Sequence, residues 1–318
     1  MKAVAVTRFK AAPEVMELPE PTLKPGTVLV RVAAAGMNPF DWKLIDGILD
    51  GKMPHNFPLI MGVDGAGTIE AVGEGVTRFH TGDKIYGQFI HAPIGEGSYA
   101  EYAIVPEKAA ISHAPESIPL LEAAAIPTAG MTAQQILEKL GLKHEQILLL
   151  VGATGGVGSF VIQLAAMQGI YVIATVSDEE GAERVKKLGA RESVNYKKLS
   201  VEKEIKAKYP DGIDGLIDLV SNAETFNTMA SLVRKGGAAL TTAFVAEKET
   251  LSQMGISGGN FETHGNPASL DALTDAINSG QLRVPVETVI SMEDVPAAIE
   301  LSRKAKGKGK TVIKINIG

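Results

Sequence analysis

The densest chemical signal in the chain is Gly152-Ala153-Thr154-Gly155-Gly156-Val157-Gly158. It follows the apolar run Gln146-Ile147-Leu148-Leu149-Leu150-Val151 and precedes a stretch with helical periodicity. Strand, glycine turn and helix in that order form a seat for a pyrophosphate. A glycine at the turn permits a positive φ, and a second keeps Cβ atoms out of the path of a phosphate. Gly158 lets the helix pack close to the strand. The phosphates would then meet free N–H groups and the positive end of the helix dipole. Ala153, Thr154, Gly155, Gly156, Val157 and Gly158 are therefore candidate cofactor-binding residues.

The next strand, Ile170 to Val176, bears on which dinucleotide is bound. An NAD site places an acid at the end of this strand, against the ribose 2′-hydroxyl. Val176 stands there instead. Nothing at that position repels a 2′-phosphate, and Ser177 can bond to one, with Arg184 and Tyr196 as further candidates. Asp178, Glu179 and Glu180 follow at once. Ser177 as N-cap with Glu180 as return partner would be a capping box, and acids suit a helix N-terminus. One of the three can still serve an NAD ribose, but the balance favours NADP(H).

Other chemistries are excluded by what is missing. There is no cysteine among the 318 residues, so disulfides, thiolate catalysis and Cys-ligated zinc are ruled out. The histidines, His55, His80, His91, His113, His144 and His264, are scattered with no i, i+4 pair. The formal net charge of −6 gives no general attraction to nucleic acid or anionic membrane. No targeting segment and no membrane-length apolar run is visible, so the expectation is a cytoplasmic protein.

The elements that position these residues fall into three stretches. Thr27–Val32, Gly67–Val72 and Gly82–Gly87 read as short strands between glycine-rich turns. From Leu120 the pattern alternates: helices at Leu120–Ala125 and Thr128–Leu140, a strand at Gln146–Val151, then a helix from about Gly158 to Gln168. A strand at Ile170–Val176, a helix at Glu180–Leu188, a strand at Gly215–Val220 and a helix at Glu224–Leu232 follow. Ala238–Thr242 makes a fourth parallel strand. Such alternation implies a parallel sheet wrapped by helices. Helices at Ser269–Ser279 and Ser291–Ser302 and a strand at Thr311–Ile317 close the chain. The basic run Arg303 to Lys310 reads as a solvated turn, with the alternative that Lys310 reaches a bound phosphate.

Five motifs give this organisation a family resemblance. They are Gly36-Met37-Asn38-Pro39-Phe40-Asp41, Gly62-Val63-Asp64-Gly65-Ala66-Gly67, Gly97-Ser98-Tyr99-Ala100-Glu101-Tyr102, Ala129-Gly130-Met131-Thr132, and Ala153-Thr154-Gly155-Gly156-Val157-Gly158. The whole chain resembles the medium-chain dehydrogenase/reductase superfamily, and within it the zinc-independent quinone oxidoreductase-like branch. The resemblance implies an α/β protein with a GroES-like β-rich catalytic domain at 1–122 and 264–318. A Rossmann doubly wound parallel-sheet domain at 123–263 would bind NADP. Zinc relatives carry a Cys where this chain has Asn38, a His-Glu pair at Val63-Asp64, and a third ligand at Thr128. None of Asn38, Val63 and Thr128 is an ordinary zinc ligand. Without a Lewis acid, an acceptor that is already electrophilic is the natural substrate. The resemblance implies a small-molecule quinone or enone, with no nucleic-acid or membrane partner, and a homodimer paired through edge strands. An enoyl or alkenal double-bond reductase and a non-catalytic NADPH-binding sensor remain as alternatives.

The resemblance also proposes site residues. Asn38 would lie near the nicotinamide, its amide donating to a ribose hydroxyl or a substrate oxygen; otherwise it only caps the turn before Pro39. Thr132 matches a position on the nicotinamide side, unless it is only a helix-start hydroxyl. Asp41 would fix the loop through a salt bridge, and Asp64 would be structural. Trp42, the single tryptophan, would wall the substrate pocket or pack in the core. Tyr99 and Tyr102 read as strand packing. Thr241, Thr242, Ala243 and Phe244 should pass close to the cofactor, because ligands bind at the carboxyl ends of such strands.

Overall fold

The structure, a computed structural model, describes residues 1–304 and 309–316. The chain divides into two compact units, one of Met1–Met131 with Gly265–Gly318 and one of Thr132–His264. The first opens with β1 (Lys2–Val6), β2 (Glu14–Glu17), β3 (Thr27–Gly36), α1 (Pro39–Ile45) and β4 (Leu59–Ile60). It continues with β5 (Asp64–Val72), β6 (Lys84–Gln88), β7 (Tyr102–Pro106), β8 (Ile111–His113) and α2 (Leu120–Ala123). Helix α3 (Pro127–Leu140) crosses from the first unit into the second.

The second unit alternates as its periodicity requires. Its elements are β9 (Ile147–Val151), α4 (Gly156–Met167), β10 (Tyr171–Val176), α5 (Glu179–Lys187), β11 (Glu192–Asn195) and α6 (Val201–Lys208), then β12 (Ile213–Asp218), α7 (Ala223–Ala230), β13 (Val233–Thr241), α8 (Lys248–Gln253) and β14 (Ser257–Asn260). The strands pair in parallel in the order β11-β10-β9-β12-β13-β14, so the winding reverses between β9 and β12. Central strands β9 and β10 are apolar on both faces because helices cover both. Leu149, Ile173, Leu216, Phe226 and Ala239 pack together in one core.

Several boundaries differ from the sequence expectation. The strand expected at Ala238–Thr242 is part of the fifth strand of this sheet, Val233–Thr241, not the fourth, because β11 lies between β10 and β12 in the chain, and Thr242 lies just beyond that fifth strand. Strands β11 (ESVN) and β14 (SGGN) are short and polar edge strands, which leave no hydrophobic alternation to read. The strand expected at Gly215–Val220 runs Ile213–Asp218, and Val220 lies in the loop beyond it. Helix α4 begins two residues earlier than expected, at Gly156.

The chain returns to the first unit through α9 (Pro267–Asn278), β15 (Val286–Ile290), α10 (Val295–Arg303) and β16 (Lys310–Lys314). The helix expected over Ser291–Ser302 is a short 3-10 turn, Met292–Asp294, followed by α10 with a proline in its first turn. The end of the expected last strand, Ile317, lies outside the described residues, as do 305–308 of the basic run. A seven-stranded sheet orders as β15-β16-β3-β5-β6-β8, with β7 also on β3. At the end of β3, Gly36 lies opposite both Asp64 of β5 and Val312 of β16. That register brings together residues distant in sequence.

Candidate functional site

In the second unit, β9 ends at Val151 and the chain bends at Gly152 with φ +84°, where a side chain would be strained. A Cβ on Gly158 would come within 2.5 Å of the Gly152 carbonyl oxygen and 2.7 Å of Ala153 Cα. Only glycine lets the turn and helix touch so closely. A Cβ on Gly155 meets nothing nearer than the Gly152 oxygen at 3.4 Å, so the space beside it is open. Gly155 is the N-cap of α4, and among the described residues no side chain caps that end. The first N–H groups of the helix are the donors such a turn offers to an anion.

The other candidates in this unit gather around the carboxyl ends of the strands. Ser177 follows β10, and the Tyr196 N–H donates to the Val176 carbonyl at 3.0 Å, so the two candidates lie beside each other. The N-cap of α5 is Asp178, not Ser177: its Oδ1 accepts from the Gly181 N–H at 2.8 Å. Strand β10 continues to Val176, so the helix starts one residue later than the capping box required. The Ser177 hydroxyl donates to Asp178 Oδ2 at 2.9 Å. Arg184 donates to the Thr154 carbonyl at 3.1 Å, which ties it to the glycine turn.

After β13 the Thr242 N–H donates to the Asp218 carbonyl, and Phe244 adopts φ +60° with 58% of its surface exposed. A strained, exposed aromatic residue just beyond the carboxyl end of a parallel strand is a functional candidate. Val220, 67% exposed, lies against Gly152: a Cβ there would meet Val220 Cγ1 at 3.1 Å. Sequence reasoning missed Val220, having placed it inside a strand. Thr132 is buried in the second turn of α3, and its hydroxyl shares a hydrogen bond with Thr263 at 2.6 Å. It is not a helix-start hydroxyl.

In the first unit, β3, β5 and β16 build a buried polar cluster. Asn38, Asp41, Asp64 and Lys310 are all buried. Asn38 is the N-cap of α1, but its side chain turns inward. Its Nδ2 donates to Asp64 Oδ2 at 2.8 Å and to the Gly36 carbonyl at 3.3 Å, while its Oδ1 accepts from Lys310 Nζ at 2.7 Å. The amide expected to donate to ribose or substrate is therefore engaged within the protein. Asp64 also accepts from the Thr128 N–H at 3.0 Å and from the Thr128 hydroxyl at 2.6 Å. Gln88 donates to that same hydroxyl at 2.8 Å.

Asp41 holds the loop with three acceptor contacts. It takes the Asn38 N–H at 2.6 Å, the Val63 N–H at 3.0 Å and the Tyr99 hydroxyl at 2.7 Å. The salt bridge expected of Asp41 falls instead to Asp64 and Lys310, 3.6 Å apart. Burial raises the Asp41 carboxyl to about 6, against the Asn38 N–H and the Tyr99 hydroxyl, which favour the charged form. Burial and the neighbouring Asp41 push the Tyr99 phenol well up, and burial lowers Lys310 against the pull of Asp64 and Asp41. Lys310 is the buried first residue of β16, not part of a solvated turn, and its ammonium meets Asn38, the Met37 carbonyl and Asp64. Trp42 packs partly buried against the core of the unit, with Arg303 over its ring at 5.3 Å. Tyr102 opens β7, opposite Arg31 of β3.

Comparison with known proteins identifies the framework. Residues 24–116 match the alcohol dehydrogenase GroES-like domain, and residues 156–265 match the zinc-binding dehydrogenase family. A zinc-type alcohol dehydrogenase-like protein of Schizosaccharomyces pombe is 30% identical over 334 residues, covering 96% of this chain and 95% of that protein. The chain belongs to the medium-chain dehydrogenase/reductase superfamily. Within it, the chain is similar to quinone oxidoreductases. The chloroplast envelope quinone oxidoreductase homolog of Arabidopsis thaliana is 38% identical over 190 residues. That match spans 58% of this superfamily member and 56% of the relative, little more than half of each. The quinone oxidoreductase of Coxiella burnetii superposes with TM-score 0.87 at 26% identity, covering 99% of both chains. The GroES-like and Rossmann-like halves of the superfamily thus correspond to the β-rich first unit and the parallel-sheet second unit.

Proposed function

We propose that the protein is an NADPH-dependent oxidoreductase that reduces a quinone or related α,β-unsaturated carbonyl without zinc. The observation that carries this reading is the Gly152–Gly158 turn, where Gly158 lets the helix close onto the turn and the space beside Gly155 stays open, a space that a Cβ at Gly155 would fill. Ala153, Thr154, Gly155, Gly156, Val157 and Gly158 would hold the pyrophosphate by backbone N–H groups. Ser177 and Tyr196 would meet the adenosine 2′-phosphate, and Thr132, Thr242 and Phe244 the nicotinamide side. Bound there, the nicotinamide supplies a hydride to an electrophilic acceptor.

The protein's own part is positioning. The Asn38–Trp42 segment borders the substrate, with Asn38 and Asp41 locked by the buried cluster. The developing negative charge on the acceptor takes its proton from water. The Arabidopsis and Coxiella relatives support this reading by their quinone oxidoreductase names. The residues at the superfamily's zinc positions do not fit a zinc ion. Asn38, Val63 and Thr128 supply an amide, an alkyl group and a hydroxyl, and the Lys310 ammonium already sits on the amide. A homodimer paired through an edge such as β14 is part of the same proposal.

Purified protein should oxidise NADPH with 9,10-phenanthrenequinone, and should do so equally after treatment with a chelator. NADPH binding without turnover on quinones and 2-alkenals would replace the enzyme reading with that of a sensor. Loss of activity on chelation would overturn the zinc-independent part. Faster turnover of the alkenals would favour the double-bond reductase.

A further inference from the structure

The buried cluster contains a lysine that neither the cradle nor the hydride step uses. Strand β16 runs antiparallel to β3 with Val312 opposite Gly36, so two residues further along the ladder Lys310 comes opposite Asn38. The Met37 N–H donates to the Thr311 carbonyl at 3.0 Å and confirms the register. Lys310 Nζ lies 2.7 Å from Asn38 Oδ1, 3.1 Å from the Met37 carbonyl and 3.6 Å from Asp64 Oδ2.

We propose that Lys310 is a positioning residue of the candidate site: its ammonium sets which way the Asn38 amide faces and so holds the 36–41 loop in one conformation. The proposal rests on the reading that this loop borders the substrate.

The two ends of an asparagine amide have nearly the same size, so their partners decide the orientation. Here the oxygen faces a cation and the nitrogen faces the Asp64 carboxylate. A flipped amide would set N–H groups against an ammonium and a carbonyl against a carboxylate. Lys310 is 3% exposed, and Asp41 and Asp64 are 0% exposed, so little solvent screens these charges. Removing the ammonium takes away one of the two partners that oppose the flip, leaving only Asp64 against it, and leaves two buried carboxylates without a counter-charge.

The test uses the single tryptophan, Trp42, next to Asp41, as an internal reporter. The charged and titratable groups that face Asp41 are Tyr99, Asp64 and Lys310. Arg303 and Lys43 flank the Trp42 ring, and Asp46 pairs with Arg303. An Asp46→Asn control removes the contribution of that pair. Trp42 fluorescence of the wild type should titrate near pH 6. In Lys310→Met the midpoint should rise by about one unit or more, because an opposite charge has been removed. In Lys310→Arg it should stay near the wild-type value. With 9,10-phenanthrenequinone, kcat should fall about tenfold or more in Lys310→Met and recover in part in Lys310→Arg. The NADPH Kd should stay within about twofold, since the cradle is untouched. An unchanged midpoint, or a moved midpoint with unchanged kcat, would overturn the proposal.

If Lys310→Met fails to fold, or if the wild type turns over no acceptor, the wild-type Asn38 side-chain amide decides the matter by NMR. Slow solvent exchange of both its protons supports the positioning role, and rapid exchange overturns it. A wild type without turnover but with a protected amide would sink the oxidoreductase reading alone.

Discussion

Gly158 lies directly under the carbonyl of Gly152, so close that a methyl group on it would approach the oxygen to 2.5 Å. Both neighbouring atoms are backbone and cannot turn aside. Gly158→Ala should therefore destabilise the second unit by about 1–3 kcal/mol and abolish NADPH binding. Gly155→Ala meets only the Gly152 oxygen, at 3.4 Å, and should melt near the wild-type temperature. It should nonetheless bind NADPH at least about tenfold more weakly, because its methyl would occupy the approach of the pyrophosphate. Thermal unfolding and NADPH fluorescence measured on both variants separate the two effects. Full NADPH affinity in Gly155→Ala would remove the cradle from the proposed function.

The Tyr99 hydroxyl donates to an Asp41 carboxyl that burial raises from 3.8 to about 6. The folded protein holds that proton more tightly than the unfolded chain. The contribution of Asp41 to stability is thus fully present below about pH 4 and is lost as pH rises through about 6. Tyr99→Phe removes a donor that favours the charged form. It should cost about 1–3 kcal/mol at pH 7.5 and distinctly less at pH 5, where the carboxyl is largely protonated. Urea unfolding at the two pH values reads the difference. Equal losses at both would show that the hydroxyl does not act on the charged carboxylate.

In the proposed function, Ser177 carries the preference for NADP(H). Ser177→Ala should weaken NADPH binding several-fold and leave NADH binding nearly unchanged, because only the former has a phosphate to lose a partner. Parallel titrations with the two nucleotides give the ratio. A ratio unmoved by the substitution would leave the preference for NADP(H) without a residue to explain it.

Phe244 is held at φ +60° with most of its ring exposed. A left-handed non-glycine residue is strained by about 1–2 kcal/mol. Glycine relieves that strain while raising the entropy of the unfolded chain by a smaller amount. Phe244→Gly should melt at or slightly above the wild-type temperature, yet bind nucleotide or quinone more weakly. A variant with unchanged affinity would make the strained loop a feature of folding only.

The glycine turn was legible in the sequence because it is local. It depends on a strand, a bend and a helix that follow one another within about twenty residues, and each leaves its own periodicity or glycine signature. The central strands were legible for the same reason: burial on both faces writes a continuous apolar run at Ile147–Val151 and Tyr171–Val176. Polar edges leave no such mark, so β11 and β14 were invisible. The choice of Asp178 over Ser177 as cap turned on where β10 stops, a matter of a single residue.

The buried cluster stood differently. The sequence alone determined that Asn38, Val63 and Thr128 cannot form an ordinary zinc site, since residue chemistry requires no coordinates. It determined Asp41 and Asp64 as acids in family motifs. It could not show that Lys310, 272 positions beyond Asn38, supplies the cation on the amide. That pairing is set by the register of β16 against β3, and register is a property of the assembled sheet. In the sequence Lys310 is one member of a basic run and reads as solvated. Only the tertiary structure, by inserting β16 beside β3 and burying its first residue, turned a surface charge into an internal one.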